Sequence, residues 1–387
     1  MSYRHAFKAA RPALASFVAM GCLWGSIAAT LPDLKVMLEV GEAELGLLLI
    51  TVPIAAVVSM AAAPWIGARL GRFPLPVATA LMALTFTLPG HAANIWLFPS
   101  ALVLCGAATG LVDVLMNART AQLEEERGLY LMNLAHGSYS FAYAGGAMLA
   151  GLMRWQGWSP AAILSAMSLL ALGCAIASTE RDGTIHGLVR SGQADGGRKL
   201  GLIPVIGGLI ILAGYLVESA GENWAALHIE QTLGGAPALG AMGPALIALM
   251  MGISRMVGQG IMTRVNPYMV VGSGALIATF GSVLVGLAWA PAIAYIGFAI
   301  VGIGNSVVVP TAFSLIGRLV PSENRARSIA RATMLGYFGF FFGPGLLGLI
   351  AGAFGLPVAF FFTAGVMVSV LILIRLMIRA ARTESRG

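Results

Sequence analysis

The chain has 387 residues, of which 58% are apolar and 10% charged, against roughly 45–50% and 25% in soluble domains. Water cannot be the main solvent of such a surface, which excludes the soluble enzyme and binding-module classes. The net charge of +7 must therefore be read by position before it is taken as a sign of acidic partners.

Apolar stretches of about 20 residues match the hydrocarbon thickness of a bilayer. Twelve are predicted, near 12–32, 44–67, 74–93, 96–118, 130–153, 160–178, 201–227, 238–262, 268–289, 291–316, 328–352 and 357–378. None alternates apolar and polar residues with period two, so a barrel is excluded and the fold class is an all-α membrane protein. The 50 Gly and 18 Pro predict helices that approach closely and bend. Cys22, Cys105 and Cys174 all fall inside apolar segments without ligand spacing, so they read as small buried thiols and no metal site is expected.

The first segment follows Arg4, Lys8 and Arg11 and superficially resembles a secretory leader. Its length and its counterpart in the middle of the chain make it a structural member instead. Gly21-Cys-Leu-Trp-Gly-Ser-Ile-Ala-Ala-Thr-Leu-Pro-Asp-Leu34 aligns without a gap on Gly214-Tyr-Leu-Val-Glu-Ser-Ala-Gly-Glu-Asn-Trp-Ala-Ala-Leu227, an offset of about 193 residues. Gly106 to Asp113 in the fourth segment lies over Gly302 to Val309 in the tenth. Tyr139 ahead of Gly145 in the fifth likewise lies over Tyr337 ahead of Gly343 in the eleventh. Two parallel copies predict six-helix bundles over 1–178 and 201–387, joined by a polar linker at 179–200, with a central site between them.

When loops are assigned alternately to two sides, every basic residue except Lys35, Arg154 and Arg255 falls on one side. The positive-inside rule makes that side the cytoplasm and places both termini there. This distribution also removes the nucleic-acid reading of the net charge. Glu124, Glu125 and Glu126 read as a solvated helix end balancing Arg119 and Arg127.

An ionised side chain at membrane depth costs at least about 2.5 kcal/mol, so each one asks for a reason. Asp113 shares a helix face with Asn117 in the fourth segment. Its structural alternative is a packing pair with Arg119. Glu218 and Glu222 are one turn apart in the seventh segment, with Tyr215 on the same face. Two carboxylates that close repel when both are ionised, so at least one is expected to hold a proton near neutral pH. Arg255 in the eighth segment is expected either to neutralise Glu218 or to bind an anionic solute. His136 opens a polar string with Tyr139 and Tyr143 and is a candidate cavity lining. Trp24 is expected to stack on a solute and Trp224 to anchor at the interface. Asn223, Gln259, Asn305 and Tyr337 are candidates for ligand contacts or helix–helix hydrogen bonds.

Two parallel halves, cytoplasmic termini and a central linker together resemble the major facilitator superfamily over nearly the whole chain. The loop after the second segment reads Pro64-Trp-Ile-Gly-Ala-Arg-Leu-Gly-Arg72. Arg69, Gly71 and Arg72 match that family's loop motif, while Ala68 stands in place of its Asp and Pro64 in place of its leading Gly. The equivalent loop of the second half, around Arg264, is weaker. Gly110 to Asn117 and Glu218 to Trp224 look most like the fucose/proton symporter-related branch.

The resemblance implies a secondary active transporter in the inner (plasma) membrane, not an enzyme. It would move a small polar solute (a sugar, polyol, amino-acid derivative or small peptide) by alternating access, as a symporter with the proton as coupling ion. No cofactor is expected, and a monomer in the lipid bilayer is. A proton-coupled exporter of drugs or amphipathic metabolites is the alternative, against which the fifth segment lacks that branch's Gly-Pro motif. An intramembrane enzyme or sensor is the reading from another class, and no His-Glu-x-x-His, Gly-x-Ser-x-Gly or nucleotide loop supports it.

Overall fold

The computed structural model describes residues 3–128, 131–186, 188, 201–262, 265–321 and 324–384, without the side chains of 3–9, 258–262, 326 and 383–384. Gln259, the loop at Arg264 and most of the basic end of the linker thus lie outside the described residues and side chains. Among the described residues the regular structure is helical throughout.

The elements in chain order are α1 (Tyr3–Leu38), α2 (Glu42–Leu49), α3 (Thr51–Arg69), α4 (Pro74–Thr85), α5 (Leu88–His91), α6 (Leu97–Arg127), α7 (Met132–Trp155) and α8 (Pro160–Ala177). They continue with α9 (Ile203–Leu227), a π-helical turn (His228–Thr232), α10 (Pro237–Met262), α11 (Pro267–Gly286), α12 (Pro291–Asn305), α13 (Val308–Leu319), α14 (Arg325–Phe354) and α15 (Leu356–Glu384). Pro74, Pro160, Pro237, Pro267 and Pro291 each open a helix, where the missing N–H would have had no helical partner. Ser159 caps α8 by accepting the Ala162 N–H at 3.3 Å, and Asn266 caps α11 through the Tyr268 N–H at 3.0 Å.

Among the described residues ten helices or helix pairs are long and apolar enough to span a bilayer. The pair α4–α5 and the helix α7 complete the twelve crossings. The third crossing is split at Phe86 and Thr87, ahead of Pro89. In α7 the polar residues Asn133, His136, Ser138 and Ser140 lower the hydropathy. The predicted fourth segment ended at residue 118, but α6 runs on to Arg127 and stops at Gly128 in the left-handed region, φ +63°. Arg119, read as a loop residue, is therefore a helix residue and only 5% exposed.

The structural alternative for Asp113, a packing pair with Arg119, is not formed. Arg119 instead donates from Nε and Nη2 to Glu180 at 2.9 and 2.8 Å, with Glu126 at 3.5 Å. The Thr179 carbonyl accepts from Arg11 at 2.7 Å, and the His186 N–H donates to Gln122 at 3.0 Å. The start of the linker is therefore a strap tied across the helix ends of the first half.

Apolar packing forms three clusters. Phe17, Leu23, Met82, Val112, Leu115 and Met167 lie at the centre of the first, together with Ala241 and Ala245 from α10. Ile210, Val217, Val271, Leu315 and Met367 build the second, within the C-terminal half. The third crosses between the halves: Leu31, Leu34, Leu45 and Phe98 pack with Trp224, Leu227, Leu347 and Phe360. Glycines let the backbones meet there, since a Cβ on Gly46 would fall 2.6 Å from the Pro344 carbonyl oxygen. This third cluster lies at the face opposite the termini. Trp224, expected at the interface, is 1% exposed inside it.

Candidate functional site

Four helices converge at mid-depth. Close packing of α1 on α7 fixes the first wall: a Cβ on Gly25 would fall 2.0 Å from the Tyr143 carbonyl oxygen, and one on Gly146 would fall 2.4 Å from that of Cys22. With α7 so placed, Tyr139, Ser140 and Tyr143 face Glu218 and Glu222 of α9 across a cleft floored by Pro244, Ile247, Ala248 and Met251 of α10. The space enclosed between these walls is about 20 Å³, room for little more than a water molecule.

The polar groups in and beside it are poorly matched. Arg255 on α10 brings Nη2 to 3.7 Å from Glu218 Oε1. That is an ion pair at a length where no hydrogen bond forms, and the Arg255 Nε is buried without a partner. Among the described residues Glu222 has neither a hydrogen bond nor an ion pair. The Tyr143 hydroxyl is likewise unpartnered, on a residue only 2% exposed.

Asp113 on α6 faces the same region from the other side. Its carboxylate accepts from Asn117 at 3.1 Å, and Asn117 also donates to the Asp113 carbonyl at 2.8 Å. Asp113 is close enough for its charge to act on Tyr139, Tyr215 and Tyr337. Tyr215 of α9 stacks at 5.8 Å from Tyr337 and 4.6 Å from Phe340 of α14. His136 lies within electrostatic range of Arg255 and sets its ring against Phe17 at 5.1 Å.

The remaining candidates are placed elsewhere. Trp24 packs edge-on against Phe86 at 5.0 Å in the first half's core, not in the cleft wall, because α1 turns that face toward the end of α4. Asn223 donates back to the Ser219 carbonyl at 2.8 Å on its own helix. Asn305, 2% exposed, donates to the Gly214 carbonyl at 3.1 Å and joins α12 to α9. Arg69 lies over the Trp65 ring at 3.3 Å and Arg72 over Phe73 at 4.7 Å. Gly71 between them adopts φ +57°, which favours glycine.

One cluster escaped the reading of the sequence. At the face opposite the termini, Arg154 of α7 donates from Nε and Nη2 to Asp33 of α1 at 2.6 Å each. It also donates from Nη1 and Nη2 to Glu230 of the π-helical turn at 2.6 and 2.9 Å, and to the Ala29 carbonyl at 2.7 Å. Its side chain is 1% exposed. Lys35 adds a second tie between the halves, to Gln231 at 3.0 Å. The repeat itself held no signal for this cluster, because Glu230 lies in the short π-helical turn beyond the aligned segment.

The arrangement is a cleft between helices of the two halves of the chain, closed by apolar packing at the face opposite the termini. Its helical frame is that of a known family. The chain matches the Major Facilitator Superfamily over residues 13–339 and 223–387. An uncharacterised MFS-type transporter of Yersinia pestis is 30% identical over 354 residues, covering 90% of each chain. Among solved structures, a bacterial homologue of the human lysosomal transporter Spinster, inward-facing and occupied, superposes with a TM-score of 0.73 at 15% identity, over 95% of this chain and 96% of that one. The E. coli fucose:proton symporter superposes with a TM-score of 0.57 at 17% identity, over 94% and 97%. The chain belongs to the Major Facilitator Superfamily and is a multi-pass membrane transporter, not an enzyme.

Proposed function

We propose that the chain is a proton-coupled symporter of a small polar solute, working by alternating access in the inner membrane with both termini in the cytoplasm. The observation that carries this reading is the charge imbalance of the central cleft. Three carboxylates, Asp113, Glu218 and Glu222, face one guanidinium, Arg255. The Glu218–Arg255 pair leaves two negative groups without a counter-charge at a depth where an isolated charge costs at least about 2.5 kcal/mol. Protons and solute relieve that cost differently in the two access states, and this difference is what couples their movements.

Asp113 is the coupling group in this reading. Its carboxylate has an amide partner but no cation, so proton loss there is governed by access to water from the cytoplasmic side. The sealed face, with Arg154, Asp33 and Glu230, is then the periplasmic one, and the cleft is open inward. The basic helix ends at Arg69, Arg72, Arg318, Arg325 and Arg375 support that orientation.

The test is proton movement in liposomes holding the purified protein and a pH dye, challenged with sugars, polyols, amino acids and dipeptides, with Asp113→Asn in parallel. Solute-dependent alkalinisation of the outer buffer, lost in the variant, is the expected result. Proton movement in the opposite sense, evoked by amphipathic drugs alone, would replace symport with export. Solute flux indifferent to the proton gradient would remove coupling.

A further inference from the structure

Proton coupling at Asp113 leaves one carboxylate in the cleft, Glu222, without a protein partner among the described residues; repulsion from Glu218 favours a proton on it while the cleft is empty, and the side chains around it indicate which cation can take that proton's place. Glu222 is without a hydrogen bond or ion pair among the described residues. The same cleft holds the unpartnered hydroxyl of Tyr143, on a side chain almost wholly buried. A buried phenol left without a partner forfeits about 1–3 kcal/mol, so the site is built for a group that is not part of the protein. The Tyr139 and Tyr143 rings stand 6.1 Å apart on the wall facing Glu222, and aromatic faces attract cations lying within about 6 Å of their centres. His136 and Arg255 are the basic groups near the cleft. Arg255 is engaged with Glu218, and His136 sets its ring against Phe17.

We propose that the solute carries a protonated amine, which Glu222 binds as an ion pair beside the Tyr139 and Tyr143 rings, with the Tyr143 hydroxyl contacting the amine or an adjacent polar group. A bare metal cation fits the site less well. Both α7 and α9 run as unbroken α-helices past the cleft, so their carbonyls are engaged in helical hydrogen bonds and supply no oxygen cage. The apolar floor of Pro244, Ile247 and Met251 suits a carbon frame, for which the cleft walls must part, since the space between them now holds little more than a water molecule. This assignment rests on the reading of Asp113 as the proton site, since that leaves a single negative charge for the solute to balance.

The experiment is binding to the purified full-length transporter in detergent, without any gradient, so that it is independent of coupling. Each probe is a primary amine set against its own neutral N-acetyl form: glucosamine, ethanolamine, putrescine and tyramine, with glucuronate as an anion and sodium chloride as a metal control. At least one amine should raise the unfolding temperature and bind about 30-fold or more tightly than its acetylated form, the range expected for a charge-assisted contact. Glu222→Gln should remove that preference, and Tyr143→Phe should weaken amine binding several-fold. Acetylated or anionic probes binding as well as the amines, stabilisation by sodium alone, or no amine binding at all would overturn the proposal. Amine binding without amine-driven proton movement in liposomes would keep the proposal and remove the coupling reading. Proton movement driven by neutral sugars, with no amine binding, would do the reverse.

Discussion

Two clusters of charge sit in this protein at different depths, and they are built in opposite ways. At the sealed face Arg154 is surrounded: five hydrogen bonds, four of them at 2.6–2.7 Å, reach Asp33, Glu230 and the Ala29 carbonyl. At the centre Arg255 stands 3.7 Å from Glu218 and keeps an unpartnered Nε, beside a cleft whose Glu222 has no hydrogen bond or ion pair among the described residues. A saturated cluster fixes a geometry, because each group lost leaves the others buried and uncompensated. An unsaturated one is a receptor for something that arrives, because part of its own stability is missing until a ligand or proton supplies it.

The largest effect should come from emptying the saturated cluster. Arg154→Ala leaves Asp33 and Glu230 facing each other without a cation, a loss of about 3–5 kcal/mol in the sealed arrangement. The readout is a disulfide between Ala43→Cys and Gly352→Cys, positions where a Cβ on Gly352 would meet that of Ala43 at 3.1 Å. Cross-linking should be rapid with Arg154 present and fall at least tenfold without it. Equal rates would show that the apolar seal of Leu34, Leu45, Trp224 and Leu347 suffices by itself. The matching change at the centre, Arg255→Met, should cost less stability, about 1–2 kcal/mol, because both partners touch water, at 22% and 14% side-chain exposure. It should nevertheless abolish solute-coupled proton movement. A stability loss as large as that of Arg154→Ala would erase the distinction between the two clusters.

The sequence was informative where physics acts along the chain and silent where it acts across it. Twelve crossings were legible because hydrocarbon demands about 20 apolar residues in a row, and the gap-free alignment of Gly21 to Leu34 on Gly214 to Leu227 suggested the repeat. The convergence of Glu218, Glu222 and Tyr215 could be anticipated from helical spacing, since all three lie on α9. Arg154 could not be placed in the same way. Its partners are 121 and 76 positions away, and an arginine after an apolar run reads as an ordinary helix end. Trp24 and Trp224 were misjudged for a related reason: depth can be read from hydropathy, but the direction in which a ring points depends on the neighbouring helix. For Trp24 that neighbour is Phe86, and for Trp224 it is the glycine-thinned surface of α14 at Gly348.

Smaller effects sharpen the contrast further. Gly25→Ala puts a methyl group where the Tyr143 carbonyl lies 2.0 Å away, so α1 and α7 must part, at about 1–3 kcal/mol for an overpacked contact. That displacement carries Tyr139 and Tyr143 away from Glu222, so the variant should lose solute affinity as well as stability. Thermal unfolding and binding measured on the same sample would show both, and affinity retained at lowered stability would mean that the cleft tolerates a shifted α7 wall.

The smallest change expected is that of Trp24→Phe. The indole meets Phe86 edge-on at 88° inside the first half, so replacing it should cost about 0.5–1.5 kcal/mol of packing and leave the concentration for half-maximal transport within about twofold, well under the tenfold that 1.4 kcal/mol of lost solute contact would produce. A tenfold rise would place the indole against the solute in another access state, with α1 rotated relative to α4. The unbalanced cluster would then extend one helix further than the present cleft shows, and Trp24 would join Tyr139 and Tyr143 as a face that the proposed amine meets.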